Sequence, residues 1–252
     1  MIIWWIKELE LRLKSKRYIK IEITIFLFLI LLLVVFWPDS ILNLKTFSIA
    51  NLSLVNFVIQ ALIIFYLSSL IASGNLLAER EFKIFDLVKY GPEKIWNIVL
   101  GKFLSVFFYI FILLLLFLPI NILANYASSP FEIRFHYFIF LTLLDSFIFI
   151  SLGILWSTIY NPTLNWTAHW LSYLLFLFLP FLIPFLSPYL PLNNIFWAGM
   201  AQHILTLDIT FELSHFLIVL LSYSFFSFLL LFISQLKLKS WRKNNENSSR
   251  NK

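Results

Sequence analysis

Long apolar runs alternate with short polar connections along most of this 252-residue chain. Each run approaches the roughly 20 residues that an α-helix needs to cross about 30 Å of hydrocarbon. None of them shows the strict alternation that is typical of a membrane β-barrel strand. The pattern therefore predicts an all-α, polytopic membrane protein with six transmembrane helices, at residues 21–37, 52–73, 99–118, 137–158, 170–190 and 216–235.

The amino-acid composition agrees with this pattern and indicates what surrounds the chain. Hydrophobic residues make up 61% of the chain and charged residues only 13%, whereas a soluble domain is roughly 45–50% apolar. There is no cysteine, which excludes disulfides, thiolate metal sites and thiol nucleophiles. The net charge of +6 comes from basic residues that flank apolar runs, where they set membrane orientation. We therefore expect lipid, and no nucleic acid, around this chain.

The distribution of Lys and Arg predicts the orientation. Six lie before residue 21, five within residues 74–102 and six after residue 235, while Lys45 and Arg134 are the two that remain. Basic residues concentrate on the cytoplasmic side of membrane proteins. Both termini and residues 74–102 are therefore predicted to be cytoplasmic, in a multi-pass protein of the cell (inner) membrane.

Residues 2–17 have the periodicity of a helix that lies along the membrane surface. The alternative is a poorly ordered basic tail. Charged residues, among them Glu8 and Arg12, fall off the apolar stripe. That stripe consists of Ile2, Trp5, Ile6, Leu9 and Leu13.

Residues 74–102 form a charged interruption between the second and third apolar runs. Leu77, Glu81, Ile84, Phe85 and Val88 recur there at helical spacing, which predicts one short amphipathic helix. A Gly-Pro pair at 91–92 then ends this helix and starts another, which re-enters the membrane.

A nucleotide site is not encoded in this stretch. The dipeptide Gly101-Lys102 has Trp96 where a phosphate loop needs its first glycine, and Phe103 where it needs Ser or Thr. If transport is driven by ATP, another chain must bind the nucleotide.

The second half of the chain has three features that depart from a simple apolar span. Three prolines, Pro180, Pro184 and Pro188, predict a kink or break in the outer half of the fifth span. Residues 191–215 are too polar for a full span and predict short re-entrant helices in the outer leaflet. Residues 237–252 are predicted to be a disordered cytoplasmic tail.

A few polar residues lie inside the predicted spans. Asp145 is near mid-depth in the fourth span with Ser146 beside it, and Asn56 and Gln60 share one face of the second. Such residues either line a substrate path or join helices by hydrogen bonds, and both interpretations stay open. The four histidines match no compact metal motif, so we expect no metal site and no catalytic residue.

The stretch from Glu79 to Lys102 resembles the cytoplasmic loop of type-2 ABC exporter permeases. It departs from the family at Lys83-Ile84, where Gly-Thr is common. The order of surface helix, six spans, cytoplasmic loop and outer re-entrant segment also resembles this family. The matching features are an acidic pair (Glu79, Glu81), an amphipathic helix, a turn proline (Pro92), an aromatic residue (Trp96) and a closing Gly101-Lys102.

This resemblance implies a transport subunit that is not by itself an enzyme. Two permeases, as a homodimer or heterodimer, would pair with two ABC ATPase subunits, which bind the ATP and Mg, so that this chain holds no cofactor. The loop would dock on the ATPase as a coupling helix. Its docking residues would be Glu79, Arg80, Glu81, Lys83, Ile84, Phe85, Val88 and Pro92.

By the same resemblance the chain is a single permease domain, residues 1–252. Its parts are the interfacial helix 1–20, spans 21–73, the coupling loop 74–98, spans 99–190, the re-entrant segment 191–215, the last span 216–236 and the tail 237–252. The alternatives are an intramembrane lipid-acting enzyme and a non-transporting membrane scaffold or immunity protein. A secondary transporter is disfavoured because neither internal repeats nor several buried charges are present.

Overall fold

The computed structural model describes residues 2–35, 50–81, 95–127, 135–159, 162–183, 189–191, 194 and 209–250. Within these ranges the chain forms seven α-helices and no strand. The helices are α1 (Ile2–Lys14), α2 (Lys16–Val35), α3 (Ala50–Glu81), α4 (Ile95–Ala127), α5 (Phe135–Ile159), α6 (Pro162–Leu182) and α7 (Ile209–Arg250).

Five of these helices are long and apolar enough to cross a membrane, which confirms an all-α protein of the multi-pass type. The candidate spans are Lys16–Val35, Asn56–Gly74, Ile95–Ala124, Phe138–Ile159 and Ser214–Ser240. The helix α6 is not among them, and its first half carries the polar residues Asn165, Thr167 and His169. The count of six spans therefore stays a prediction.

The helix α5 lies at the centre of the bundle and contacts α3, α4, α6 and α7. Its candidate span is 83% buried, whereas that of α2 is only 11% buried. The exposed apolar side chains of the described residues are concentrated on α2, α6 and α7. These three helices therefore present the apolar outer surface that lipid would cover.

The contact between α3 and α5 is the closest helix pair and keeps one register along its length. Phe57 stacks on Phe138 with ring centroids 5.1 Å apart, and Phe65 stacks on Phe149 at 4.9 Å. Further along, Gly153 faces the backbone of α3 so closely that a Cβ would lie 2.4 Å from the carbonyl oxygen of Ser69. The two helices therefore run in the same direction, and the missing side chain permits their approach.

The first helix, α1, ends earlier than the surface helix predicted for residues 2–17, and the first candidate span also begins earlier than predicted. The backbone N–H of Ser15 bonds to the Arg12 carbonyl in a tight turn, and the Ser15 carbonyl accepts the first hydrogen bond of α2, from Ile19. Serine is a favoured residue at a helix start. The chain therefore turns at Ser15, between α1 and α2.

Later helix bounds also differ from the predicted runs. The helix α4 continues through Pro119 to Ala127, and α6 begins at Pro162 and ends at Leu182, shortly before Pro184. Proline suits the first turn of a helix and disfavours helix in the residue before it. Pro184 and Pro188 lie outside the described residues.

The last helix departs from the predicted outer segment and tail. It already begins at Ile209, inside the segment predicted as re-entrant, of which residues 195–208 lie outside the description. It then continues to Arg250, where a disordered tail had been predicted. The residues after the span include several Lys, Leu and Arg, which are good helix formers and extend the helix.

Replacing Gly153 by alanine should destabilise the bundle, because the new methyl would meet the backbone of Ser69. We expect a loss of about 1–3 kcal/mol, measured by unfolding in detergent. The control is Gly101→Ala, since a Cβ at that helical glycine meets nothing within 4 Å. Alanine there should be neutral or mildly stabilising. Equal losses in both variants would contradict the close approach of α3 and α5.

Candidate functional site

The predicted coupling loop is joined to the bundle by two helices. The helix α3 continues beyond its candidate span, which ends at Gly74, as far as Glu81. The backbone of Glu79, Arg80 and Glu81 thus forms the end of α3, while α4 begins at Ile95. The other predicted docking residues, Lys83, Ile84, Phe85, Val88 and Pro92, lie outside the described residues.

The helix α1 is held against α4 by the carboxylate of Glu8. This carboxylate accepts hydrogen bonds from Lys102 Nζ and Ser105 Oγ, each at 3.1 Å, and lies 3.6 Å from Arg12 Nη2. Lys102 is only 3% exposed. A buried ammonium is costly unless an anion pairs with it, so Glu8 makes the position of Lys102 tolerable.

Aromatic stacking reinforces this contact. The ring of Trp5, one turn before Glu8, stacks on Phe108 of α4 with centroids 4.8 Å apart. The inward face of α1 therefore combines Trp5, Glu8 and Arg12, while Ile6 and Leu13 of the predicted apolar stripe remain exposed. The face that α1 turns toward α4 is set by the pairing of Glu8 with the buried Lys102. It differs from the face that the predicted apolar stripe indicates.

A second polar cluster surrounds Asp145 of α5. Asn194 Nδ2 donates to Asp145 Oδ1 at 2.7 Å and to the hydroxyl oxygen of Tyr223 at 3.3 Å. The Tyr223 hydroxyl in turn donates to the backbone carbonyl of Tyr189 at 2.9 Å. Asp145 and Asn194 are fully buried, and Tyr223 is nearly so.

Asn194 is the donor that links the members of this Asp145 cluster. Asn194 Nδ2 is within donating distance of both Asp145 and Tyr223, and the Tyr223 hydroxyl can donate to the Tyr189 carbonyl. Asp145 is thus an acceptor for Asn194. Because Tyr189 and Asn194 lie in the connection between α6 and α7, the cluster ties that connection to α5 and α7.

The sequence singled out only part of this cluster. Asp145 belongs to it, but the Ser146 hydroxyl bonds the carbonyl of Leu143 in its own helix. Asn194 lay in a segment that showed no periodicity, and Tyr223 is one of many aromatic residues in apolar runs. A sequence signal for them would have required knowing which side chains Asp145 can reach.

A third group of polar residues consists of buried amides. Asn56 Nδ2 of α3 donates to Asn121 Oδ1 of α4 at 2.8 Å, and Gln60 follows Asn56 one turn later. Both amide atoms of Gln60, together with Asn56 Oδ1 and Asn121 Nδ2, make no hydrogen bond with any described residue. Buried amides without partners are costly. This face can accept water or a polar group of a ligand.

A fourth contact joins α3 to α6. His169 Nδ1 lies 2.5 Å from the Ser69 hydroxyl, and the hydroxyl of Tyr173, one turn later, donates to the Leu62 carbonyl at 3.5 Å. Among the described residues no three His, Asp or Glu side chains group together as metal ligands. The contact therefore joins helices through single hydrogen bonds.

Comparison with known proteins adds no relative. No family model, no curated protein and no solved structure matches this chain.

Glu8 and Glu10 on α1 form a matched pair for testing the contact with α4. Glu8→Gln should cost about 3 kcal/mol, the lower end for breaking a buried ion pair, because Lys102 remains buried. Glu10 pairs with Lys14 in full exposure, and that bond lowers the pKa of Glu10. Glu10→Gln should leave stability essentially unchanged, because an exposed ion pair contributes little. Unfolding midpoints in detergent give both values, and similar losses would rule out a special role for Glu8.

Asp145 can be tested with two substitutions of similar size. Asp145→Asn keeps an oxygen that accepts from Asn194, so stability should change by less than about 1 kcal/mol. Asp145→Leu removes the acceptor and should cost about 1–3 kcal/mol. Thermal unfolding distinguishes the two results. If both variants are as stable as the parent protein and neither transports, Asp145 serves a substrate path and not helix packing.

Proposed function

We propose that this chain is the membrane-spanning permease subunit of an ATP-driven ABC exporter. It would form the translocation path with a second permease subunit and couple to separate ATPase subunits, two copies per complex. The chain would supply no catalytic residue and no cofactor. ATP and Mg would be bound by the ATPase partner.

The observation that carries this proposal is the unbroken helix α3. It runs from Ala50 through the candidate span Asn56–Gly74 to Glu81, so the first charges of the predicted coupling loop belong to the same rigid rod as the membrane segment. A helix transmits displacement along its axis with little loss. A force applied near Arg80 would therefore move α3 without an intervening hinge.

The other side of the loop has a similarly firm connection. The helix α4 begins at Ile95, and the ring of Trp96 packs edge-on against Phe228 of α7 at 5.6 Å. Two turns into α4, Lys102 is paired with Glu8 of α1. A displacement of the loop would thus be shared by α1, α4 and α7, in addition to α3.

The mechanism that these contacts support is geometric. ATP binding would close the partner ATPases and draw the docked loops of two permeases together. The change would reach α5 through its register with α3. A partner shifts such an equilibrium only if it holds the loop differently in its two states, so docking must change with nucleotide.

The translocation path would involve the polar faces far from the loop. Opening on that side requires the Asn194–Asp145 and Tyr223–Tyr189 hydrogen bonds to separate, since they hold the connection after α6 against the bundle. Asn56 Oδ1 and both amide atoms of Gln60 make no hydrogen bond with a described residue. These groups are polar but carry no net charge. They would suit neutral polar groups of a transported molecule.

A loop variant tests the coupling proposal. The purified chain should show no ATPase activity alone and should copurify with a soluble Walker-motif ATPase. Charge reversal at Arg80 and Lys83 together with Phe85→Asp should abolish both copurification and transport, because the docking surface is lost. The control is Lys237→Glu with Lys239→Glu, two exposed cations elsewhere. Intact association and transport in the loop variant would refute docking at this site.

A further inference from the structure

One continuous face of α2 points away from the bundle and is exposed. This face begins with two cations and continues with apolar side chains at helical spacing. Each of its apolar members is more than half exposed. The members are Lys16, Lys20, Ile23, Leu27, Leu31 and Val34.

The cationic end of this face is free of acidic partners. Lys16, Arg17 and Lys20 are exposed, and none of them forms an ion pair with a described residue. The exposed carboxylate of the neighbouring α1, Glu10, is paired with Lys14. Three positive charges are therefore available together at one position.

The position of this cationic end is set by the contacts of α1. Glu8 and Trp5 hold α1 on α4, and the turn at Ser15 then directs α2 along the bundle. Lys16 starts the candidate span, so the three cations would lie near the headgroups if α2 crosses a membrane.

The length of the apolar part matches one leaflet. From Ile23 to Val34 the helix rises about 16 Å at about 1.5 Å per residue. Half of a hydrocarbon core of about 30 Å is close to this distance. A single acyl chain can thus lie along the face while its headgroup reaches the three cations.

We infer that this face of α2 is a binding site for an anionic phospholipid. The phosphate and the net negative charge of the headgroup would be held by Lys16, Arg17 and Lys20, and an acyl chain would lie along Ile23 to Val34. A zwitterionic lipid fits less well, because its own amine competes for the phosphate. Each basic residue at a membrane surface favours anionic lipid roughly fivefold. The inference stands on α2 alone and does not depend on the proposed transport function.

A second copy of the chain is a less suitable occupant. In a two-fold symmetric contact the same surface patch meets itself. Packing this face on its copy would bring Lys16, Arg17 and Lys20 of both chains together, and like charges repel. A lipid anion supplies the opposite charge that the face lacks.

The test measures bound lipid on the full-length protein. The protein is reconstituted in bilayers of mixed phosphatidylglycerol and phosphatidylcholine, released into gentle detergent, and its retained lipids are counted by native mass spectrometry. The parent protein should retain phosphatidylglycerol in preference. Lys16→Gln with Lys20→Gln should lower that preference about 25-fold, following the fivefold factor for each of the two cations.

The control variant is Lys237→Gln with Lys239→Gln, which removes two exposed cations near the end of the last candidate span. These cations also lie at one end of a candidate span, so some general attraction for anionic lipid should be lost, but the lipid preference should fall clearly less than in Lys16→Gln with Lys20→Gln. Equal losses in the two variants, or no preference in the parent, would overturn the site. Displacement of the lipid by an equal concentration of inorganic phosphate would also overturn it, because the site would then be a general anion site.

A crosslinking arm distinguishes lipid from a second copy. The chain has no cysteine, so Leu27→Cys introduces a single thiol at the centre of the face. In bilayers with phosphatidylglycerol this thiol should not form a disulfide between two copies. Efficient dimer formation there would show that another chain occupies the face, and would refute the lipid site.

Discussion

The parallel contact of α3 with α5 is the interaction on which the rest of the bundle depends. Gly153 lets the two backbones approach, and the stacked pairs of Phe65 with Phe149 and Phe57 with Phe138 keep their register. Because α5 also contacts α4, α6 and α7, the remaining helices are arranged around this pair. Helices that associate in lipid gain little from the hydrophobic effect, so close packing of this kind must hold them together.

The buried polar groups add directional contacts to that packing. Glu8 joins α1 to α4 at one end, and the Asp145 cluster joins the connection after α6 to the bundle at a distance from it. Each contact pairs residues far apart in the chain. Since a buried polar group costs several kcal/mol without a partner, about 2–7 by transfer measurements, such contacts restrict how the helices can be arranged. The amides around Gln60 are the exception, and this is why they suit a ligand.

The loop end of the bundle and the region around Asp145 are held together in different ways. Near the predicted coupling loop, α3 and α4 are firmly connected and can pass on displacement. Near Asp145, a few hydrogen bonds between buried groups hold the connection after α6, and it could separate only where water or a ligand replaces them. In the proposed transport function, the first region would pass on displacement and the second would have to open.

The sequence by itself determined the all-α, multi-pass architecture and the position of most helices, because long apolar runs have few alternatives in lipid. It also identified Asp145 as a buried polar residue. Only the tertiary structure decided which face of α1 turns inward, where α6 ends, and that Asn194 and Tyr223 accompany Asp145. The physical reason is that apolar side chains lie equally well against lipid or protein, so periodicity does not reveal a helix face. The partner of a buried charge, such as Glu8 for Lys102, is set by contacts between distant parts of the chain.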